Sequence, residues 1–374
     1  MCKILKLKLA LALIITSKVL ITPLQSQPFS DKEILLKPTD YKLSLNVDYD
    51  NKKLIGDCQL TIFNPSGHPI QTIPLLVYRL MKVKTIKDDN KKNIPFTQRV
   101  LSFEDWEVLQ VNYIEVSLEE PIAEKAEKKI TIEYEGYLLG YTETGMLYVK
   151  DRIDPEFTII RPDCRAYPMI GVPSWRVNRI AGLPKFDYLI NVTVPDSLVV
   201  ANGGRLLDKR TIAGSVTYIY QSVKPAWRID IAIAKYHILE DEKNKVFYFV
   251  EDSVRASKIM EAIKNNLNLY TDWFGPLHDY KGFTFIEILD GWGSQSSETT
   301  IIQTAAAFKD DKKLHELYHE ISHQWNVTSN DTFPPRLEEG MATFLEYLSV
   351  EKLEQRKIIA RVTDSFCNRL REHL

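Results

Sequence analysis

Apolar and polar residues alternate along many short segments in the first two thirds of the chain. Residues 41–49 read Tyr-Lys-Leu-Ser-Leu-Asn-Val-Asp-Tyr, and a side-chain period of two is typical of a half-buried strand. The same alternation recurs, between turn residues, in residues 58–63, 129–134, 188–194, 216–220 and 229–234. Short strands separated by turns predict sheets or a sandwich over residues 28–243.

A helical period replaces this alternation after the charged segment 240–244. Apolar residues recur at helical spacing over residues 254–270, and Gly275-Pro276 ends that pattern. Residues 283–289 then predict a strand. A chain of 374 residues is long enough for two or more domains. We therefore expect a boundary near residue 243, with a second domain over residues 244–374.

Histidines and glutamates are concentrated in residues 315–326, which read His-Glu-Leu-Tyr-His-Glu-Ile-Ser-His-Gln-Trp-Asn. The pattern His-Glu-x-x-His occurs twice and shares His319. Histidines four apart lie on one face of a helix, where two imidazoles can hold one zinc ion. The glutamate beside the first histidine can take a proton from the water that the metal activates.

Neighbouring residues support a helix here. Asp310 and Asp311 can cap its start, and Pro334-Pro335 prevents it from running far beyond Asn330. Its predicted core face consists of Leu314, Leu317, Tyr318, Ile321 and Trp325.

The shared histidine leaves two possible registers. The first comprises His315, Glu316 and His319. The second comprises His319, Glu320 and His323. A catalytic zinc needs a third protein ligand and an open position, and the next acidic pair in the chain is Glu338-Glu339.

The segment His319-Glu-Ile-Ser-His323-Gln-Trp, followed by Glu339-Gly-Met-Ala, resembles the gluzincin aminopeptidases, the family of aminopeptidase N and leukotriene hydrolase. The resemblance implies one Zn²⁺ held by His319, His323 and Glu339, with Glu320 as the general base. Fifteen residues separate His323 from Glu339, three fewer than is usual in the family. The first register with Glu338 would restore that spacing, but the Gln-Trp and the glycine fit only the second.

The same resemblance implies an α+β multidomain fold, in which an N-terminal β-saddle or sandwich domain precedes a thermolysin-like catalytic domain. In the family, a tyrosine well beyond the third ligand stabilises the oxyanion, and residue 374 precedes any such position. We therefore expect a C-terminally short member or a fragment, with an incomplete catalytic domain.

The family's substrate-binding edge strand carries Gly-x-Met-Glu-Asn, whose glutamate holds the substrate ammonium. The corresponding residues 293–297 read Gly-Ser-Gln-Ser-Ser, which places Ser296 at the glutamate's position. Glu298 lies two residues later, on the same face of an extended strand, and is the candidate replacement. Gly293 and Gln295 are expected to pair with an extended peptide through their backbone groups.

Glu346 lies two turns after Glu339 on the predicted second helix. Two interpretations stay open: it orients a ligand histidine from behind, or it is a solvated helix charge.

Residues 1–27 are typical of a secretory signal, with three early lysines before an apolar run at residues 9–16. An uncleaved N-terminal anchor is the alternative. Lys18 interrupts the apolar stretch, so no stable membrane span is expected, and the predicted location is secreted or periplasmic.

Charge and cysteine content narrow the function further. The formal net charge is −2, and loss of the four lysines in residues 1–27 would make it −6, which does not suggest a nucleic-acid partner. Cys58, Cys164 and Cys367 would remain, an odd number without a Cys-x-x-Cys pair. The sequence thus predicts zinc-dependent hydrolysis of peptide or protein substrates, aminopeptidase-like. The alternative is a catalytically impaired or inactive secreted protein that binds zinc or peptides.

Overall fold

The computed structural model describes residues 28–140, 149–325 and 335–359. Its largest sheet consists of β1 (Lys37–Asp48), β2 (Lys53–Phe63), β4 (Met81–Lys87), β7 (Glu127–Tyr137), β10 (Asp187–Pro195), β12 (Arg205–Ile212) and β13 (Ser215–Gln221). These strands lie in the order β12-β13-β10-β1-β2-β7-β4. Neighbours are antiparallel except for β1 and β10, which are parallel.

A second sheet faces the first. It consists of β3 (Ile70–Tyr78), β5 (Phe96–Phe103), β6 (Trp106–Ile122) and β9 (Met169–Ile170), in the order β5-β6-β3-β9. Leu43 and Leu60 from the first sheet share one hydrophobic core with Leu75 and Val111 from the second. The alternation in the sequence has a direct counterpart, because along β1 the side chains of Tyr41, Leu43, Leu45 and Val47 are buried while those between them are exposed. The predicted β-rich part is confirmed.

Two smaller sheets contain the remaining strands. The three-stranded sheet consists of β8 (Phe157–Ile160), β11 (Val199–Ala201) and β14 (Ile231–Ala234), in the order β11-β14-β8. The five-stranded sheet consists of β15 (Tyr236–Glu240), β16 (Lys245–Phe249), β17 (Thr284–Ile288), β18 (Gln295–Ser296) and β19 (Thr300–Thr304), in the order β15-β16-β17-β19-β18. Phe157 and Ala232 pack in one cluster with Phe247 and Ile286, so an apolar core joins the two sheets.

The expected boundary at residue 243 falls in the turn between β15 and β16, which are antiparallel neighbours. The five-stranded sheet therefore includes residues 236–240 from before that boundary.

The helices are α1 (Trp175–Ile180), α2 (Ser253–Phe274), α3 (Ala305–Lys309), α4 (Leu314–Ser322) and α5 (Pro335–Leu353). The helices α2, α4 and α5 pack on the five-stranded sheet through a core that includes Ile263, Phe285, Leu317 and Leu345. The helix α2 ends before Gly275, whose φ of +84° favours glycine. The predicted helices are confirmed.

The expected cap differs in one detail. The Asp310 carboxylate accepts a hydrogen bond from the Lys312 amide at 2.9 Å, which caps a short 3₁₀ turn over Asp311–Lys313. The helix α4 begins only after that turn and has no side-chain cap of its own.

Within the described ranges, no helix is both long and apolar enough to cross a membrane. The predicted signal segment, residues 1–27, and Cys367 lie outside those ranges. Cys58 and Cys164 are buried free thiols.

Candidate functional site

Helices α4 and α5 bring two histidines and a glutamate together. One ligand atom from each of His319, His323 and Glu339 lies within 4.8 Å of the others, and we call these three residues the ligand cluster. His319 Nε2 is 3.2 Å from one Glu339 oxygen, and His323 Nε2 is 4.0 Å from the other. Two imidazole nitrogens and a carboxylate oxygen suit zinc, so these residues fit the ion that the sequence implies.

The residues of the first register have other partners. His315 Nδ1 is 2.7 Å from a Glu346 oxygen. The Glu316 carboxylate accepts hydrogen bonds from Thr304 Oγ1 at 3.0 Å and from Lys313 Nζ at 3.1 Å. Glu338 and Glu339 approach different nitrogens of His323. Glu338 lies 3.8 Å from Nδ1, whereas Glu339 lies 4.0 Å from Nε2. The structure thus brings the histidines of the second register, and not those of the first, together with a third possible ligand.

Glu320 and its neighbour His319 line a cleft of about 500 Å³. Only 8% of its surface is exposed. Burial raises the pKa of its carboxyl to about 8, although the charge of His319 opposes that shift. Within the described residues its side chain makes no hydrogen bond, so its oxygens are available to a molecule in the cleft.

The two histidines of the ligand cluster differ in their affinity for protons. Burial lowers the pKa of His319, but hydrogen bonds to Glu339 and Glu346 outweigh it and raise the pKa to about 10. Burial lowers the pKa of His323 to about 4. The hydrogen bond from His319 lowers the pKa of Glu339. A metal ion takes the place of such a proton, because its ligands must be deprotonated.

Glu346 supports the ligand cluster from behind. Its two oxygens lie 2.7 Å from His315 Nδ1 and 3.0 Å from His319 Nδ1. Burial raises the pKa of its carboxyl, but these two hydrogen bonds outweigh burial and the net shift is downward. With 8% of its surface exposed, Glu346 is not a solvated helix charge.

The edge strand β18 lies next to this cleft. Gly293 lines the cleft. The side chain of Gln295 instead donates a hydrogen bond from Nε2 to Asp163 Oδ1 at 2.9 Å. Glu298 differs from its expected placement: β18 ends at Ser296, and the chain turns back through a hydrogen bond from the Ser297 amide to the Thr300 carbonyl. Glu298 therefore leaves the strand face, and its carboxylate pairs with Lys185 Nζ at 3.0 Å.

Sequence reasoning missed a buried ion-pair network beside Gln295. Arg228 contacts Asp163 Oδ2 at 2.7 Å and Asp230 at 2.6 Å, and Arg161 donates to the Trp292 carbonyl at 3.0 Å. Burial raises the pKa of Asp163, but the two arginines outweigh it and lower the pKa to about 2. The residues come from distant parts of the chain, and no local pattern marks them.

It also missed the role of Gln324. Its side-chain amide donates to Ser296 Oγ at 2.7 Å and to the Ser297 carbonyl at 2.8 Å. Next to it, Trp325 donates to the Gly275 carbonyl at 2.9 Å. The Gln-Trp pair thus joins the end of α4 to β18 and to the end of α2, and its position directly after His323 was the available signal.

Sequence comparisons give no relatives: no protein-family model matches the chain, and no curated protein does. Solved structures do match. An M1 zinc metallopeptidase from Deinococcus radiodurans is 16% identical, with a TM-score of 0.65 over 89% of this chain and 74% of that one. A glutamate-to-alanine mutant from the same organism, bound to a Tyr-Ser-Ala substrate, has a TM-score of 0.67 at 16% identity and the same coverage. A two-domain M1 mutant bound to L-arginine is 17% identical, with a TM-score of 0.65 and the same coverage.

The chain has the fold of the M1 zinc metallopeptidases. The fold expected from the resemblance is therefore confirmed, and the chain spans about three quarters of these structures' length.

Proposed function

We propose that the protein is a zinc-dependent peptidase that hydrolyses peptide bonds in an aminopeptidase-like manner. The observation that carries this proposal is the ligand cluster, one member of which, His319, lines an open cleft together with the buried Glu320. His319, His323 and Glu339 would hold one Zn²⁺. Bound there, zinc would polarise the scissile carbonyl and lower the pKa of a water molecule.

Glu320 would supply the acid-base chemistry. Its carboxylate would take a proton from the attacking water and deliver it to the leaving amine. The reaction needs the ionised form, and a cation held by the neighbouring ligands favours that form.

Peptide substrates are supported by the structural neighbours, one of which holds Tyr-Ser-Ala and another an amino acid. Gly293 lines the cleft, and β18 is an edge strand with an unshared side in the described sheet. An extended peptide would add to that side through backbone hydrogen bonds, with Gly293 and Gln295 contributing backbone groups.

The test is cleavage of a mixed peptide library by the zinc-loaded chain and by Glu320→Gln. Loss of a general base costs roughly 10²–10⁴-fold in rate. Glu316→Gln is the matched control, because Glu316 occupies the same place in the other His-Glu-x-x-His copy, and it should keep most of the activity. Equal rates for wild type and Glu320→Gln would show that this assignment is wrong.

A second function is favoured by one observation. The position that would hold a substrate ammonium is Ser296, whose hydroxyl is bound by Gln324. This favours the alternative of a non-catalytic zinc-binding or peptide-binding protein. A folded, zinc-bound chain that binds library peptides without cleaving them would support this alternative, and trimming from free N-termini would exclude it.

We also propose that residues 1–27 direct secretion or periplasmic export, and that residues 28–243 and 244–374 form two domains, with β15 of the first paired to β16 of the second. Sequencing the N-terminus of protein from the culture medium or periplasm tests the first proposal. Limited proteolysis near residue 243 tests the second.

A further inference from the structure

We infer that His315 is a positioning residue for the metal site, acting through Glu346 on the ligand His319. This inference rests on the proposed zinc site and adds to it a residue that belongs to neither the ligands nor the general base. The supporting observation is that the Glu346 carboxylate contacts both His315 and His319.

The arrangement begins with helix geometry. His315 and His319 are one turn apart on α4, so both rings face α5. Glu346 on α5 lies opposite these rings, and each of its oxygens contacts one of them. Oε1 lies 2.7 Å from His315 Nδ1, and Oε2 lies 3.0 Å from His319 Nδ1. Both contacts are short, and the Glu346 side chain is only 10% exposed.

Proton positions follow from the chemistry of the pair. An ionised carboxylate can only accept hydrogen bonds, so Nδ1 must be the donor in both rings. A neutral His319 then carries its lone pair on Nε2, the atom that faces Glu339 at 3.2 Å. That is the tautomer in which His319 can bind a metal.

His315 adds a restraint that a single hydrogen bond lacks. The terminal torsion of a glutamate has a broad energy well, so a carboxylate held at one oxygen can turn. With Oε1 held by His315, the plane of the group is fixed and Oε2 stays aimed at His319. His315 lines the cleft, and its side chain is 31% exposed, so its contribution to packing is small.

The experiment measures zinc affinity by chelator competition for wild type, His315→Leu and His315→Asn. Loss of a partner behind a metal ligand typically costs about 10–100-fold in affinity, and since His315 acts through Glu346 we expect about tenfold for His315→Leu. His315→Asn should recover most of that loss, because its amide nitrogen can donate from the place of Nδ1. His278→Leu, at an exposed histidine, is the matched control and should bind zinc as wild type does.

Two results would overturn the inference. The first is a wild-type zinc affinity in His315→Leu. The second is an equal loss of zinc affinity in His315→Leu and His315→Asn, accompanied by a lower unfolding temperature of the metal-free protein. His323→Ala separates this failure from failure of the proposed function. If His323→Ala binds zinc normally, the ligand cluster itself is misassigned. If His323→Ala loses zinc and His315→Leu does not, only the role of His315 is wrong.

Discussion

The side-chain amide of Gln324 lies 2.7 Å from the hydroxyl of Ser296 and donates a hydrogen bond to it. This contact links Gln324, two residues beyond the end of α4, to the edge strand of the five-stranded sheet. The same amide donates to the Ser297 carbonyl at 2.8 Å. One side chain therefore joins the helix of the candidate zinc ligands to the strand on which a peptide would lie.

Gln324→Leu should destabilise the protein by about 1–3 kcal/mol, because it leaves the Ser297 carbonyl without its side-chain donor. Ser296→Ala removes only one hydrogen bond and should cost less, about 1 kcal/mol. The free energy of unfolding in urea measures both. If Ser296→Ala proves the more harmful of the two, Gln324 does not hold the strand through the Ser297 carbonyl.

Much of this architecture follows from local pattern. Alternation along residues 41–49 predicts β1, and the repeated His-Glu-x-x-His predicts α4 with its ligands. The two registers could not be separated by spacing alone, since the first register with Glu338 matched the family's spacing better. What separates them is the pairing of side chains across α4 and α5: Glu346 engages His315, which leaves Glu339 to face His319 and His323.

Two other features depend on contacts that no local pattern reveals. The pairing of Gln295 with Asp163 joins residues 132 positions apart. The displacement of Glu298 from the strand face arises from a turn that closes between Ser297 and Thr300. An alternation argument assumes that the strand continues, and here the chain turns back after two strand residues.

Arg228→Met should destabilise the protein by roughly 3–5 kcal/mol, since it leaves Asp230 buried without its cation and Asp163 with only the more distant Arg161, at 3.8 Å. Arg228 is 3% exposed and contacts both carboxylates. Unfolding in guanidinium chloride measures the change. The matched control is Arg210→Met, because Arg210 forms an exposed pair with Asp208 at 2.6 Å, and exposed pairs contribute little. Similar losses in the two variants would contradict a special role for the buried network.

Zinc should stabilise the wild-type chain against unfolding. A ligand that binds only the folded state at a free concentration 100 times its Kd adds about 2.7 kcal/mol. The increase in unfolding temperature on adding zinc to chelator-treated protein should disappear in His323→Ala and Glu339→Ala, and should persist in His278→Ala. An undiminished increase in His323→Ala would mean that zinc binds elsewhere.

Glu287 should make the protein less stable as the pH rises. It is fully buried, its Oε2 accepts a hydrogen bond from the Phe249 amide at 2.7 Å, and burial, assisted by the nearby Asp252, raises the pKa of its carboxyl from 4.5 to about 9. Between these two values the folded state binds a proton that the unfolded state has lost. The contribution is therefore complete below about pH 4.5 and is lost as the pH rises toward 9, by at most about 1.4 kcal/mol per pH unit.

Glu287→Gln keeps the size and the acceptor of a protonated carboxyl but cannot ionise, so its free energy of unfolding should fall less steeply between pH 5 and 8.5 than that of wild type. Urea unfolding at a series of pH values gives the two slopes. Glu107→Gln, at an exposed position, controls for the loss of one acidic group and should keep the wild-type slope. If all three proteins share one slope, Glu287 is ionised in the folded state and its burial is compensated by neighbours other than Asp252.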